Sequence, residues 1–288
     1  MNSDSTKQNE WYTTSCSNCT FTLPVRYQNL VLIEQKTYAS IVHATDTTTG
    51  KYVTIKKFLH PFQTHIYAKR TYLELKLLIY LNHPDAQFIH SAGIIVRDLK
   101  PTNIGVDQNS NVTILDVGIA RVAPVGSDID GFITKMWCAP ELYLNENKYD
   151  EKVDIWSVGC IMAEIILSKP LFQGYNTIDQ LNKMFEIIDT PDLATLQELC
   201  TPEATAYISR MKPKTKRNFN ELFGFKYDPL TQKTISGVSR EGIDFLDHLL
   251  SFDPRRRPTV ELALTIVWQM VQEFSPPSWA NDNSMNDS

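Results

Sequence analysis

Val96-Arg97-Asp98-Leu99-Lys100-Pro101-Thr102-Asn103 places several polar side chains directly after the apolar pair Ile94-Ile95. Asp116 follows soon after, closing the apolar run Val112-Thr113-Ile114-Leu115. Asp98, Asn103 and Asp116 offer oxygens, and Lys100 offers a cation between the first two. Gly118 lets the backbone turn sharply behind Asp116. Two carboxylates, an amide and a lysine converging at strand ends make a Mg²⁺–phosphate site, because Mg²⁺ is held by one or two carboxylates plus phosphate oxygens. Taken one motif at a time, surface loops with ordinary turn Asp and Asn are the better account.

The surrounding pattern supplies elements to carry such a site. β-like segments at about 29–35, 38–45 and 51–58 come first, and Asp46-Thr-Thr-Thr-Gly50 joins the last two as a hairpin. A helix is expected from Ala68 to Leu81, with Leu73, Leu77 and Leu81 on one face. Asn82-His83-Pro84 ends it. One helical turn fits 86–91, and Ile104–Val106 and Val112–Leu115 read as two short strands around the turn Asp107–Asn111. Val153–Leu167 is apolar nearly all round, which predicts a buried central helix. Further helices are expected near 177–189, 192–199, 240–250 and 259–273. Residues 1–22 and 275–288 lack a sustained period and read as disordered tails.

Composition narrows the classes. The chain has 288 residues, 42% hydrophobic and 21% charged, which suits a globular core in one large domain or two lobes. A net charge of −5 argues against a broad nucleic-acid footprint. The longest apolar run, Ile155–Leu167, is interrupted by Glu164 and is shorter than the about 20 residues a membrane span needs. The N-terminus has no apolar h-region, so no secretory signal is expected. Cys16, Cys19, Cys138, Cys160 and Cys200 are odd in number and scattered, which suits a reducing compartment. Cys16 and Cys19 form a lone C-x-x-C. Zinc needs about four ligands, so a solvated tail is the better reading. Met211-Lys-Pro-Lys-Thr-Lys-Arg217 reads as a solvated basic loop, with a nuclear import signal as the alternative.

Together the motifs resemble eukaryotic protein kinases, and within them the stress-activated mitogen-activated protein kinases. Val53-Thr-Ile-Lys56 resembles the third-strand V-A-I-K motif, and VRDLKPTN resembles H-R-D-L-K-P-x-N. Asp116-Val-Gly118 resembles D-F-G, Ala139-Pro-Glu141 is A-P-E, and Asp154-Ile-Trp-Ser-Val-Gly-Cys-Ile-Met-Ala-Glu164 matches the subfamily's central helix. The resemblance covers about Tyr27 to Phe274. It implies an α+β bilobal fold, with a small β-rich N-lobe at 23–84 and a larger helical C-lobe at 85–274. It implies ATP and Mg²⁺ as cofactors and phosphorylation of protein Ser/Thr in a stress-signalling cascade. Asp98 would be the base, Lys100 would steady the transferring phosphoryl, and Asn103 and Asp116 would hold Mg²⁺. Ile33, Ile41, Thr54, Lys56 and Glu74 would bind nucleotide, with Glu74 orienting Lys56. Its neighbour Lys57 should be a solvated lysine on the other strand face. Glu141 and Arg257 look like a buried ion pair fixing the activation segment. Protein substrates and upstream kinases are the implied partners, with cytoplasmic or nuclear residence and no nucleic acid or membrane.

Several positions depart from that pattern. The family's glycine-rich turn corresponds to Ile33-Glu34-Gln35-Lys36-Thr37-Tyr38-Ala39, with Glu34, Lys36 and Ala39 at the glycine positions. Side chains stand where backbone approaches phosphate. Glu34 would repel a phosphate about 4 Å away by up to about 4 kcal/mol unless Lys36 compensates. Thr54 would crowd the adenine. Between Pro84 and Arg97 there is room for neither the hinge, two strands nor two helices, so the hinge and a long C-lobe helix are truncated. Loss of that helix should bare apolar surface around Val153–Leu167. A skipped exon would also explain the gap. The activation loop carries Asp130-Gly131-Phe132 near Thr134 in place of Thr-x-Tyr, and Asp130 could pair with Arg97. Val96 and Val117 replace a His and a Phe and should loosen the core. These departures predict weak or absent ATP binding. The alternative function is a catalytically impaired pseudokinase acting as decoy or scaffold.

Overall fold

The computed structural model describes residues 11–36, 39–60, 63, 68, 71–72, 87–91, 93–106, 112–115, 120–122, 135–144, 149–232 and 234–273. The chain divides into two compact units, Met1–Lys76 and Leu77–Ser288, where the sequence suggests a boundary after Pro84. Most of the expected helix Ala68–Leu81, the edges of the gap at Pro84 and Asp85, and the tail 275–288 lie outside the described residues.

The first unit opens with a hairpin of β1 (Trp11–Cys16) and β2 (Cys19–Pro24). This corrects the expected tail through residue 22. Thr20 and Thr22 face out while Cys19 and Phe21 face in, a period of two that a Ser- and Thr-rich composition disguises. A three-stranded antiparallel sheet follows: β3 (Tyr27–Gln35), β4 (Ala39–Asp46) and β5 (Lys51–Phe58), with β4 central. The hairpin packs on one face of this sheet. Cys16, Cys19, Phe21 and Val42 are buried, with Leu30, Leu32 and Ile55 against them. C-x-x-C is therefore sheltered, not solvated. The expected β4–β5 hairpin forms with its register unbroken from Ala39↔Phe58 to Asp46↔Lys51. Its turn is fixed by Asp46, whose carbonyl accepts from Gly50 N at 2.8 Å and whose Oδ1 accepts from Thr48 N at 3.0 Å. Gly50 sits at φ 70°, a left-handed conformation that glycine adopts without cost.

The second unit begins with α1 (Gln87–Ser91), then β6 (Ile94–Ile95), β7 (Ile104–Val106), β8 (Val112–Ile114) and β9 (Arg121–Val122). β7 pairs with β8 and β6 with β9, both antiparallel. After α2 (Glu141–Leu144) comes the central α3 (Lys152–Leu167). Around it lie α4 (Thr177–Ile188), α5 (Leu193–Leu199), α6 (Pro202–Ile208), α7 (Phe219–Phe223), the β10–β11 ribbon (Lys226–Tyr227 and Thr234–Ser236), α8 (Arg240–Leu249) and α9 (Val260–Glu273). Helix starts are read locally. Asn176, Asp192, Thr201 and Ser239 each accept a backbone N–H three residues on, which satisfies an otherwise orphaned donor.

Trp156, Cys160 and Ala163 of α3 are buried with Phe172, Met184, Phe185 and Leu246. Gly159 lets α8 approach closely: a Cβ there would meet Leu249 Cβ at 2.9 Å. The burial is one-sided, however. Val158 is 42% exposed and Ile165 75% exposed, so apolar surface is bare on α3 within the stretch Val153–Leu167.

Candidate active site

The Asp98 loop hangs from a buried carboxylate on α3. Asp154 is 1% exposed. Its Oδ2 accepts from Val96 N at 2.8 Å and lies 2.8 Å from His90 Nε2, and its Oδ1 accepts from Arg97 N at 2.8 Å. Arg97 takes φ 66°, a conformation that costs a non-glycine residue about 1–3 kcal/mol unless its surroundings hold it. Here Asp154 holds it from behind, and Arg97 Nη1 donates to the Tyr149 hydroxyl at 2.7 Å. Val96 is 2% exposed and packs with Ile89, Ile94, Leu99 and Ala120. Val117 lies outside the described residues.

From this base the loop presents Asp98. Lys100 Nζ donates to Asp98 Oδ1 at 3.1 Å and to Oδ2 at 2.8 Å. Asn103 Nδ2 donates to the Asp98 carbonyl at 2.8 Å and to Oδ2 at 3.0 Å. Pro101 starts a 3₁₀ turn that swings Asn103 back to Asp98, and the buried Asn103 accepts Leu115 N through its carbonyl at 2.8 Å. Three of the four polar residues singled out from the sequence therefore converge. The fourth, Asp116, lies outside the described residues, as do Glu74, Asp130, Phe132 and Thr134. Asn103 Nδ2 donates to Asp98, and of the two amide atoms Oδ1 is the one whose chemistry suits a cation. An amide oxygen of this kind fits a hard ion such as Mg²⁺.

Glu141 and Arg257 form the anticipated buried pair. Arg257 Nη1 donates to Glu141 Oε1 at 2.6 Å and Nη2 to Oε2 at 2.9 Å, and the remaining donors reach the carbonyls of Ser251, Lys152 and Phe252. The guanidinium also lies 5.1 Å from the Trp156 ring. Two more bonds tie the preceding segment to α3: Trp137 Nε1 to Glu164 at 2.8 Å, and Ser157 Oγ to the Trp137 carbonyl at 2.8 Å. Burial pushes the Cys138 thiol and the Tyr143 hydroxyl far above their ordinary values, so both stay neutral.

In the first unit, register places Ile41 opposite Lys56 and His43 opposite Thr54. Ile41, Thr54 and Lys56 therefore share the sheet face away from the β1–β2 hairpin. Ile33 falls at an irregularity between Leu32 and Glu34 and is 41% exposed. Lys36 Nζ lies 3.4 Å from Glu34 Oε2, so the compensation considered for Glu34 is present. Lys57 points to the hairpin face as alternation requires, yet it is not simply solvated. Its ammonium donates to the Thr20 carbonyl and lies 5.7 Å from the Phe21 ring.

Sequence reasoning assigned no role to Asp154, His90 or Tyr149. A signal existed for the first, since a carboxylate at the start of a helix apolar on all sides has to be paired. His90 and Tyr149 carry no comparable local mark.

Residues 86–269 match the family described as Protein kinase domain. The mitogen-activated protein kinase pmk-1 of Caenorhabditis elegans is 33% identical over 315 residues, covering 90% of this chain and 80% of that protein. Mitogen-activated protein kinase 14 of Xenopus laevis is 32% identical, covering 84% of this chain and 79% of its own. Mitogen-activated protein kinase sty1 of Schizosaccharomyces pombe is 31% identical, covering 88% and 84%. With the Asp98 loop and the Glu141–Arg257 pair in place, the chain belongs to the protein kinase family, among the p38-type stress-activated mitogen-activated protein kinases that act on serine and threonine.

Proposed function

We propose that this kinase uses Mg²⁺ and ATP to phosphorylate protein substrates, with weakened nucleotide affinity. The observation that carries the reading is the Asp98 carboxylate held by Lys100 at 2.8 Å and Asn103 at 3.0 Å. Asp98 accepts the proton of the substrate hydroxyl. Lys100 keeps that carboxylate in position and brings positive charge to the transferring phosphoryl. Asn103 Oδ1 and Asp116 hold the metal, whose charge, when bound, offsets that of the phosphates. Lys56 meets the phosphates from the sheet face, with Glu74 as its partner and Ile33, Ile41 and Thr54 about the base.

Weak affinity follows from Glu34, Lys36 and Ala39 at positions where the backbone has to approach phosphate. The Glu34–Lys36 pair at 3.4 Å offsets the repulsion but keeps the side chains there. Upstream kinases and Ser/Thr proteins are the partners that the family implies, in cytoplasm or nucleus. In the activation loop Asp130 and Phe132 replace the phosphorylated pair, so Asp130 gives a single permanent charge in the sequence before Thr134.

A thermal-shift titration with Mg·ATP tests the nucleotide side. Saturable stabilisation at millimolar ATP is expected. Micromolar affinity would overturn the argument from the filled glycine positions, and no shift at any concentration would leave the decoy or scaffold reading.

A further inference from the structure

Cys16 and Cys19 serve neither the Asp98 loop nor the nucleotide face, yet the fold sets them in a particular relation. They close the β1–β2 hairpin, paired directly across the turn Ser17-Asn18, with Ser17 at φ 54°. Directly opposed residues of antiparallel strands have Cα atoms about 4.5–5.5 Å apart, and their side chains leave on one face. A disulfide accepts Cα separations of about 4.4–6.8 Å, so the register already lies within its range. Both cysteines enter one cluster with Phe21 and Val42, as a shared face requires, and both are free thiols.

Cys16 and Cys19 are themselves buried, but they alone among the five lie in a strand pair; Cys138, Cys160 and Cys200 lie outside the strands. Burial pushes the Cys138 and Cys160 thiols far up, and the Cys200 thiol up to about 11. The thiolate is the reactive form, and burial disfavours it at these three.

We propose that Cys16 and Cys19 form a peroxide-responsive pair that closes to an intramolecular disulfide at the hairpin turn. One sulfur attacks the O–O bond of hydrogen peroxide. It takes one oxygen as a sulfenic acid, and the other oxygen leaves as water with the thiol proton. The second sulfur then displaces the sulfenic oxygen as a second water, and the S–S bond forms. The two sulfurs together lose two electrons and the peroxide gains them. The closed ring fixes the end of the hairpin that carries Thr20 and Phe21, the residues Lys57 lies across.

Peptide mapping of the full chain tests this. The protein is exposed to hydrogen peroxide, denatured, blocked with iodoacetamide and digested with trypsin. No Lys or Arg lies between Lys7 and Arg26, so both cysteines stay on one peptide. The expected product is that peptide unblocked and two hydrogens lighter, becoming doubly blocked once a reductant is added first. Cys138 and Cys160 stay blocked throughout. Cys16→Ser and Cys19→Ser should each abolish the product, while the wild-type map stands whether or not those variants fold. Both cysteines blocked after peroxide while Cys200 oxidises, or either one linked to a second chain, would overturn the proposal.

Discussion

Asp154 Oδ1 accepts the backbone N–H of Arg97 at 2.8 Å while Arg97 stands at φ 66°. A buried carboxylate on one helix thereby sets the conformation of the residue next to Asp98. Asp154→Asn puts an NH₂ group where one of these carboxylate oxygens accepts a backbone N–H. Losing charged hydrogen bonds at a buried position should cost about 2–3 kcal/mol. Denaturant unfolding followed by tryptophan fluorescence, to which Trp137 beside α3 and Trp156 within it contribute, measures it. A change smaller than about 0.5 kcal/mol, the range of ordinary surface substitutions, would contradict the anchor.

The Glu141–Arg257 pair should be far more costly to halve than to remove. Arg257 is completely buried as a side chain. Glu141→Met leaves the Arg257 charge facing three carbonyls and should destabilise the second unit by about 3–5 kcal/mol. Pairing Glu141→Met with Arg257→Met should recover part of that loss, since the uncompensated charge is gone. A double-mutant cycle reads the coupling, and strictly additive losses would contradict it.

Acid should find the first unit through Asp46. Arg26 bonds its carboxylate from Nε at 3.1 Å and from Nη2, and this holds Asp46 down at about 2. A carboxyl depressed by folding adds stability that is complete above its unfolded value of about 4 and is lost as pH falls from about 4 to about 2. The stability difference between wild type and Asp46→Asn should therefore be constant at neutral pH and shrink across that acid window. Thermal unfolding followed by circular dichroism checks it. A difference unchanged down to the bottom of the window would contradict the Arg26 pairing.

Val158 and Ile165 leave apolar surface open on α3. Replacing both with Ser should reduce concentration-dependent association, seen by light scattering, and shift stability by no more than about 0.5 kcal/mol each. A larger loss would mean that the two side chains are packed.

The sequence is most legible where one period or one turn decides. Asp46-Thr-Thr-Thr-Gly50 announces the β4–β5 hairpin, and Ile243, Leu246 and Leu250 mark the buried face of α8 and its end. Asp98, Lys100 and Asn103 converge as their spacing suggests, because Pro101 turns the chain within three residues. The β1–β2 hairpin is harder to see, since its inward period rests on two cysteines and a phenylalanine among Ser and Thr. Lys57 shows a further limit: alternation gives its face, while the aromatic ring it covers comes from a strand far away in sequence. Asp154 needs tertiary contacts with Val96 and Arg97, more than fifty residues away, that no local pattern encodes.

Radiolabelled ATP reads phosphotransfer by the Asp98 loop directly. Purified wild type and Asp98→Asn are compared at millimolar Mg·ATP on a Ser/Thr-containing protein, with folding of both checked by circular dichroism. Slow incorporation by the wild type is expected, falling by about 10²-fold or more in Asp98→Asn, the scale of a lost general base. Equal incorporation by the two proteins, or none by folded wild type at saturating nucleotide, would contradict it.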